Sequence, residues 1–113
     1  MKTYYLALDL VNEPALIKQY DQHHKKIWPE ITTSIKTSGI NDMKIYRVEN
    51  RLVMIIETDE TFSFEKKARN DESNPRVIEW ETLMLNYQKI IPGSKPGEKW
   101  RLMELIFDLH VNG

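Results

Sequence analysis

The stretch QYDQHHKKIWPE, residues 19–30, combines residue types that could carry out proton transfer. Tyr20, His24 and Trp28 recur every four residues, so they share one face of any helix that continues this far. An imidazole titrates near neutral pH, a phenol donates a hydrogen bond, and an indole offers a flat apolar surface. This combination suits a sugar pocket. The alternative is that Tyr20 and Trp28 are core aromatics and His24 is a hydrogen-bonded polar neighbour; spacing alone leaves both open.

The adjacent histidines raise the question of a metal site. Consecutive residues on a helix point about 100° apart, so His23 and His24 cannot both face one ion on a regular helix. The sequence also lacks the HxxxH and HxH patterns that place two imidazoles together. We therefore expect no metal here. The same geometry makes His24, which shares the face of Tyr20, the candidate catalytic residue.

Polar residues on the predicted strands form a second group of candidates. TYYLALDLV, residues 3–11, alternates so that Leu6 and Leu8 lie on one face while Tyr5, Ala7 and Asp9 lie on the other. The Asp9 face continues with Tyr46 on the second strand and Glu104 on the last. Such a face would hydrogen-bond a polyol, or it is simply a solvated sheet face.

The element order predicts the fold class. A strand is followed by a helix over residues 13–26 with Asn12 as N-cap, a break at Trp28, and a second helix from Pro29 towards Gly39. Two strands joined by a turn at 49–51, helices over 61–71 and 75–87, a loop over 90–99 and a last strand over 100–110 complete the chain. The order βαββαβ predicts a ferredoxin-like α+β sandwich, with a four-stranded antiparallel sheet and helices on one face. No element remains for the other face, so we expect a homodimer that buries the side carrying Tyr5, Ala7 and Asp9.

Composition narrows the classes of function. The 113 residues form one expected domain, 1–113, and contain no cysteine, which excludes thiol nucleophiles and disulfides and indicates a reducing compartment, the cytoplasm. Sixteen Lys and Arg against seventeen Asp and Glu, without a basic block, argue against a nucleic-acid partner. The apolar alternation at the N-terminus is interrupted at Asp9, so neither a signal peptide nor a membrane span is expected.

The pattern Y-x-x-x-H-x-x-I-W-P-E, residues 20–30, resembles the L-rhamnose mutarotase family, and weaker matches at 45–57 and 102–107 extend the resemblance over nearly the whole chain. The resemblance implies an isomerase that interconverts the α and β anomers of deoxy sugars. It implies that His24 is the proton donor and that Tyr20 and Trp80 contact the sugar. The implied fold is a dimeric α/β barrel. Opening and closing a hemiacetal ring needs acid and base but no cofactor.

Two differences from the rhamnose-type members of the family concern the choice of substrate. Rhamnose-type enzymes carry a sugar-binding tyrosine where this chain has Met43, and a tryptophan where it has Glu81. FSFEKKA, residues 62–68, and PGEKW, residues 96–100, resemble a branch of the family associated with L-fucose. L-Fucose is therefore favoured and L-rhamnose comes next. The alternatives from other classes are a non-catalytic sugar- or small-ligand-binding module, and a cofactor-independent or haem monooxygenase of the same dimeric architecture.

Overall fold

The computed structural model describes the whole chain, Met1–Gly113. Its elements in chain order are β1 Lys2–Leu10, α1 Pro14–Lys25, α2 Pro29–Thr37, β2 Ile40–Val48, β3 Arg51–Thr58, α3 Phe64–Glu72, α4 Pro75–Leu85, β4 Gln88–Lys89, β5 Arg101–Leu102 and α5 Leu109–Asn112.

The sheet is antiparallel, with the strand order β2-β3-β1-β4, and β5 also pairs with β1. β1 therefore lies in the interior of the sheet, between β3 on one side and the two short strands on the other. This order, with helices between β1 and β2 and between β3 and β4, is the ferredoxin-like arrangement, which confirms the predicted fold class.

The alternation in β1 decides which face the helices cover. Leu6, Leu8 and Leu10 are at most 6% exposed, whereas Tyr5 on the opposite face is 49% exposed. Leu10 packs into the main core together with Tyr20 of α1, Ile31 of α2 and Trp80 of α4. We call the side of Leu6, Leu8 and Leu10 the helical face, and the side of Tyr5, Ala7 and Asp9 the outer face.

The predicted helix break is confirmed. α1 ends at Lys25, and α2 starts at Pro29, whose missing N–H costs nothing in a first helical turn. Trp28 precedes α2 with an extended backbone, at φ −59° and ψ 136°. Because α1 ends before Trp28, this residue does not continue the helical face of Tyr20 and His24.

The helix starts differ in detail from the expectation. Asn12 is not the cap of α1; Glu13 holds that position, without a side-chain capping bond. α3 starts at Phe64 rather than Thr61, because Thr61 bonds Asp59 through both its N–H and its hydroxyl and the Ser63 side chain then caps the helix. Asn74 caps α4 and accepts hydrogen bonds from the backbone N–H groups of Arg76 and Val77.

The last strand corrects the sequence prediction most clearly. Residues 100–110 were expected to form one strand, but only Arg101 and Leu102 are in a strand. Gln88–Lys89 pairs with the end of β1, and an intervening loop bulges out before Arg101 returns to the sheet. After the Met103 N–H bonds the Tyr5 carbonyl, the chain leaves the sheet. Its apolar side chains then find no surface within one chain, so they stay exposed.

Candidate active site

A cavity of about 420 Å³ lies between the helices and the helical face of the sheet. This volume falls in the range of small-molecule sites, about 300–1,000 Å³. Most of its lining is apolar, from β2, β3 and the helices. The polar and charged members of the lining are Tyr20, His24, Ser34, Lys67, Asp71, Glu81, Gln88, Glu98 and Lys99.

His24 is held in one orientation by the helix that carries it. Its Nδ1 lies 2.9 Å from the backbone carbonyl of Tyr20, one turn earlier in α1. A carbonyl can only accept, so Nδ1 carries the proton and Nε2 has a free lone pair when the ring is neutral. Burial lowers the pKa of His24 below its ordinary value. At neutral pH the ring is therefore an uncharged base beside the cavity.

Tyr20 lies against His24, with ring centroids 4.3 Å apart. Burial raises the pKa of Tyr20 to about 12, so its hydroxyl remains protonated and acts as a hydrogen-bond donor. The Gln88 amide lies beside this hydroxyl and tempers the rise in pKa. The Oε1 atom of Gln88 is buried and has no hydrogen-bond partner. A buried acceptor without a partner in a cavity wall is a place where a ligand hydroxyl can be satisfied.

Two tryptophans lie near His24, in different roles. The Trp80 ring lies 5.7 Å from the His24 ring, edge to face, and lines the cavity. Trp28 packs against Trp80 with ring centroids 5.2 Å apart and is absent from the cavity lining. The guanidinium of Arg76 covers the Trp28 ring at 4.1 Å, a cation–π contact that fixes the indole. Trp28 thus packs against Trp80 without lining the cavity itself.

His23 points elsewhere, as expected from the helix geometry. Its Nε2 lies 3.1 Å from the Tyr87 hydroxyl, which in turn donates to Gln19. His23 is absent from the cavity lining. The two imidazoles are thus engaged with different groups, and no set of three or more His, Asp or Glu side chains in the chain is placed to hold a metal ion.

Comparison with known proteins identifies the family. The sequence profile described as L-rhamnose mutarotase matches residues 3–109. The chain belongs to the L-rhamnose mutarotase family. An L-fucose mutarotase from Xanthomonas campestris pv. campestris is 43% identical over 105 residues, which span 91% of this chain and 84% of that protein. The match confirms the resemblance drawn from the Tyr20-to-Glu30 pattern.

Solved structures agree on the fold. The L-rhamnose mutarotase from Formosa agariphila superposes with a TM-score of 0.70 at 17% identity, covering 96% of this chain and 99% of that one. Tetracenomycin F2 cyclase from Streptomyces glaucescens, a type-II polyketide cyclase, gives 0.58 at 14% identity and covers 96% of each chain. At these identities the likeness concerns the fold alone.

Both positions that depart from the rhamnose-type pattern line the cavity of this family member. Met43 extends from β2 towards the helices, and Glu81 follows Trp80 on α4. The Glu81 carboxylate forms an ion pair with the Lys99 ammonium. The structure thus brings Tyr20, His24, Met43, Trp80 and Glu81 together around one cavity.

Besides Trp28, three sequence candidates lie outside the cavity. Asp9 is on the outer face, where it binds Arg51 at 2.8 Å, and this pairing lowers the pKa of Asp9. Tyr46 is on the same face and 58% exposed, and Glu104 lies in the exposed segment after β5. The expectation that the outer face lines a polyol site is corrected, because alternate strand residues point to opposite faces and the cavity is on the helical one.

Sequence reasoning did not single out several residues of the cavity lining, among them Trp100, Lys99, Gln88 and Asp71. Lys99 was interpreted as the end of a loop and Trp100 as the start of a strand. Gln88 was interpreted as the residue after a helix, and Asp71 as a helix terminus. The Oδ1 atom of Asp71 is also buried without a partner, while its other oxygen pairs with Lys67. No sequence signal marks these residues as cavity residues, because their place in the lining depends on how the loop before β5 packs against the helices.

None of the helices combines the length and the apolar character that crossing a membrane requires.

Proposed function

We propose that this protein is an aldose mutarotase that interconverts the α and β anomers of a 6-deoxy-L-hexose, L-fucose in preference to L-rhamnose. The observation that carries the proposal is His24, an imidazole of fixed tautomer with a free Nε2, in a cavity of about 420 Å³ between aromatic side chains. Membership of the mutarotase family and the similarity to an L-fucose mutarotase support it. A reducing cytoplasm fits a chain without cysteine.

The chemistry needs only proton movement. Ring opening converts the anomeric C1–OH to an aldehyde and the ring oxygen to a hydroxyl, so the net event is proton transfer from one oxygen on C1 to the other. The C1 to ring-oxygen bond breaks, the C1–C2 bond rotates, and the ring oxygen attacks the other face of the aldehyde. Every step balances without a redox partner, and no cofactor enters.

His24 can perform both halves of this transfer. Its neutral Nε2 accepts the anomeric proton, and the resulting imidazolium donates a proton to the ring oxygen, which is the role of proton donor expected from the family resemblance. Both oxygens are bonded to C1, so one nitrogen can reach each in turn. The Tyr20 hydroxyl, with a pKa of about 12, stays protonated and donates a hydrogen bond without exchanging its proton. General acid–base catalysis of this kind supplies about 10²–10⁴ in rate.

The rate of exchange should depend on pH through His24. Because burial lowers its pKa, the neutral, active base forms on raising the pH through a midpoint below the ordinary histidine value of about 6.5. Exchange should therefore be constant across neutral pH and fall as the pH drops through that midpoint. Exchange rates measured by NMR between pH 4.5 and 8.5 test this. A midpoint at or above 7, or a rate that rises on acidification, would contradict a neutral His24 as the base.

The lining of the cavity suits a 6-deoxy sugar. The apolar wall includes Ile45, Met54 and Ile56 from the strands, which can bury the methyl group at C5 of a deoxyhexose. The indole of Trp80 offers a surface for sugar C–H groups. The unpartnered oxygens of Gln88 and Asp71 can accept hydrogen bonds from sugar hydroxyls.

Substrate preference should run L-fucose above L-rhamnose by about tenfold or more. Met43 cannot donate the hydrogen bond that a tyrosine gives in rhamnose-type enzymes, and leaving a sugar hydroxyl unpaired costs about 1–3 kcal/mol. Saturation-transfer NMR of the anomeric protons, across L-fucose, L-rhamnose and common hexoses at one enzyme concentration, measures the ratio. Exchange of L-rhamnose anomers as fast as those of L-fucose would refute the argument from Met43 and Glu81 while leaving the mutarotase proposal standing.

The same measurement tests the other classes of function. A non-catalytic binding module would shift or broaden sugar resonances in a titration without speeding anomer exchange. Oxygen consumption or a haem absorbance band without anomer exchange would favour a monooxygenase. Either result would overturn the proposed function.

We further propose that the protein acts as a homodimer formed through the outer face. In this chain the helices cover only the helical face, and Tyr46 and Val48 on the outer face are 58% and 70% exposed. The segment after β5, which we call the C-terminal arm (residues 103–113), exposes Leu105 by 77% and Ile106 by 90%. An uncovered sheet face that exposes Tyr5, Tyr46 and Val48, beside an exposed apolar arm on the same chain, can be covered by a second copy of the chain.

A further inference from the structure

The loop between β4 and β5, residues 90–100, brings charged and aromatic groups to the cavity. Arg101 fastens the loop at its base, donating to the Pro92 carbonyl at 3.2 Å and lying 3.7 Å from the Glu98 carboxylate. Gly93 and Gly97 have φ values of 89° and 81°, which other residues adopt only at a cost, so the path of the loop depends on them. These contacts and the two glycines therefore give the loop a defined conformation.

The far end of this loop reaches into the site. Trp100 packs against both core clusters and lines the cavity. Its neighbour Lys99 forms an ion pair with Glu81 of α4, and both side chains line the cavity. Lys99 is the more enclosed of the two, with 20% of its side chain exposed against 47% for Glu81.

The Lys99–Glu81 pair lies close to the proposed reaction centre. Glu81 follows Trp80, whose ring contacts His24, and the charge of Glu81 contributes to the raised pKa of Tyr20. The other ion pair of the cavity, between Lys67 and Asp71, is within α3.

We propose that Lys99 is a substrate-binding residue, and that the Lys99–Glu81 pair together holds one hydroxyl of the sugar. An ammonium group only donates hydrogen bonds and a carboxylate only accepts them. A sugar hydroxyl does both, so a hydroxyl beside the pair accepts from Lys99 and donates to Glu81 at once. Hydrogen bonds to charged groups are stronger than neutral ones, which makes the pair a selective contact. This inference rests on the proposed mutarotase function and names a residue that determines its substrate.

The test begins with the variant Lys99→Met, which keeps the length of the side chain and removes its charge. We expect the KM for L-fucose exchange to rise about tenfold, because a charge-assisted hydrogen bond is lost, with kcat changed less than twofold because His24 is untouched. Lys95→Met is the matched control. Lys95 is in the same loop but exposed and absent from the cavity lining, so its KM should equal that of the unmodified protein.

A panel of 2-, 3- and 4-deoxy-L-fucose separates direct contact from a role in holding the loop. Direct contact predicts that one of these analogues shows the same KM with Lys99→Met as with the unmodified enzyme, since the contacted hydroxyl is already missing. If Lys99→Met raises the KM of all three analogues by the same factor, Lys99 only stabilises the conformation of the loop, and the inference is overturned. An unchanged KM for L-fucose also overturns it.

Failure of the underlying function is recognised separately. If the unmodified protein exchanges the anomers of no sugar, the proposed function fails and the inference fails with it. If the unmodified protein is active and Lys99→Met behaves like Lys95→Met, the inference alone fails.

Discussion

Replacing His24 with alanine should slow anomer exchange by about 10²–10⁴-fold, which corresponds to about 2.7–5.5 kcal/mol of transition-state stabilisation. The reason is that His24 presents the only imidazole nitrogen in the cavity lining, and Tyr20 cannot replace it because its pKa is about 12. Saturation-transfer NMR of L-fucose at equal concentrations of variant and parent protein measures the loss. Sugar binding should persist, since Trp80, Gln88 and the apolar wall remain.

His23→Ala is the matched control for this experiment. His23 bonds the Tyr87 hydroxyl outside the cavity, so its removal should cost about 0.5–1.5 kcal/mol of folding stability and leave most of the exchange rate. Thermal melts of both variants show whether each is folded at the assay temperature. Equal losses of exchange in two folded variants would mean that the pocket is built differently from this description.

In solution the protein should have twice the mass of a single chain at micromolar concentration, and Ile106→Glu should convert it to monomers. Ile106 is the most exposed large apolar residue of the C-terminal arm, at 90%, and a carboxylate there cannot be buried without a partner. Light scattering of parent and variant measures the masses. The conversion should be essentially complete, because burying one unpaired charge per copy costs several kcal/mol.

Ile78→Glu provides the comparison for the arm variant. Ile78 is 48% exposed on α4, on the side of the molecule away from the outer face, so the same substitution there should leave the dimer intact. A parent protein that scatters light as a monomer would refute the dimer. Dissociation by both variants would show that the interface extends to the helices and is not confined to the arm and the outer face.

Local sequence patterns were sufficient for most of the fold. The strict alternation of β1 places Leu8 and Asp9 on opposite faces of any sheet. A proline such as Pro29 or Pro75 indicates a helix start, because its φ is fixed near the helical value and it has no N–H that needs a partner. The break before Pro29 and the Asn74 cap follow from the same local rules. The helical spacing of Tyr20 and His24 likewise needs no tertiary information, because both residues are on one uninterrupted helix.

Tertiary structure decided what those patterns left open. Trp28 and His24 are four residues apart, but the helix stops between them, and Trp80 from a distant helix occupies the place expected for Trp28. Polar residues of the outer face looked as suitable for a sugar as those of the helical face, because alternation identifies two faces without saying which one encloses a cavity. That choice depends on where the helices pack.

The C-terminal part of the chain shows the limit of sequence reasoning most clearly. By composition, residues 100–110 make a good strand, because most of them are apolar. A strand forms only where a neighbouring edge is available, and β1 pairs with no more than Arg101 and Leu102 of this segment. The chain itself determined the helical spacing of Tyr20 and His24, the ferredoxin-like order and the apolar character of the arm. Only the folded chain could bring Gln88, Lys99 and Trp100 to the cavity, because the contacts that place them join residues far apart in sequence.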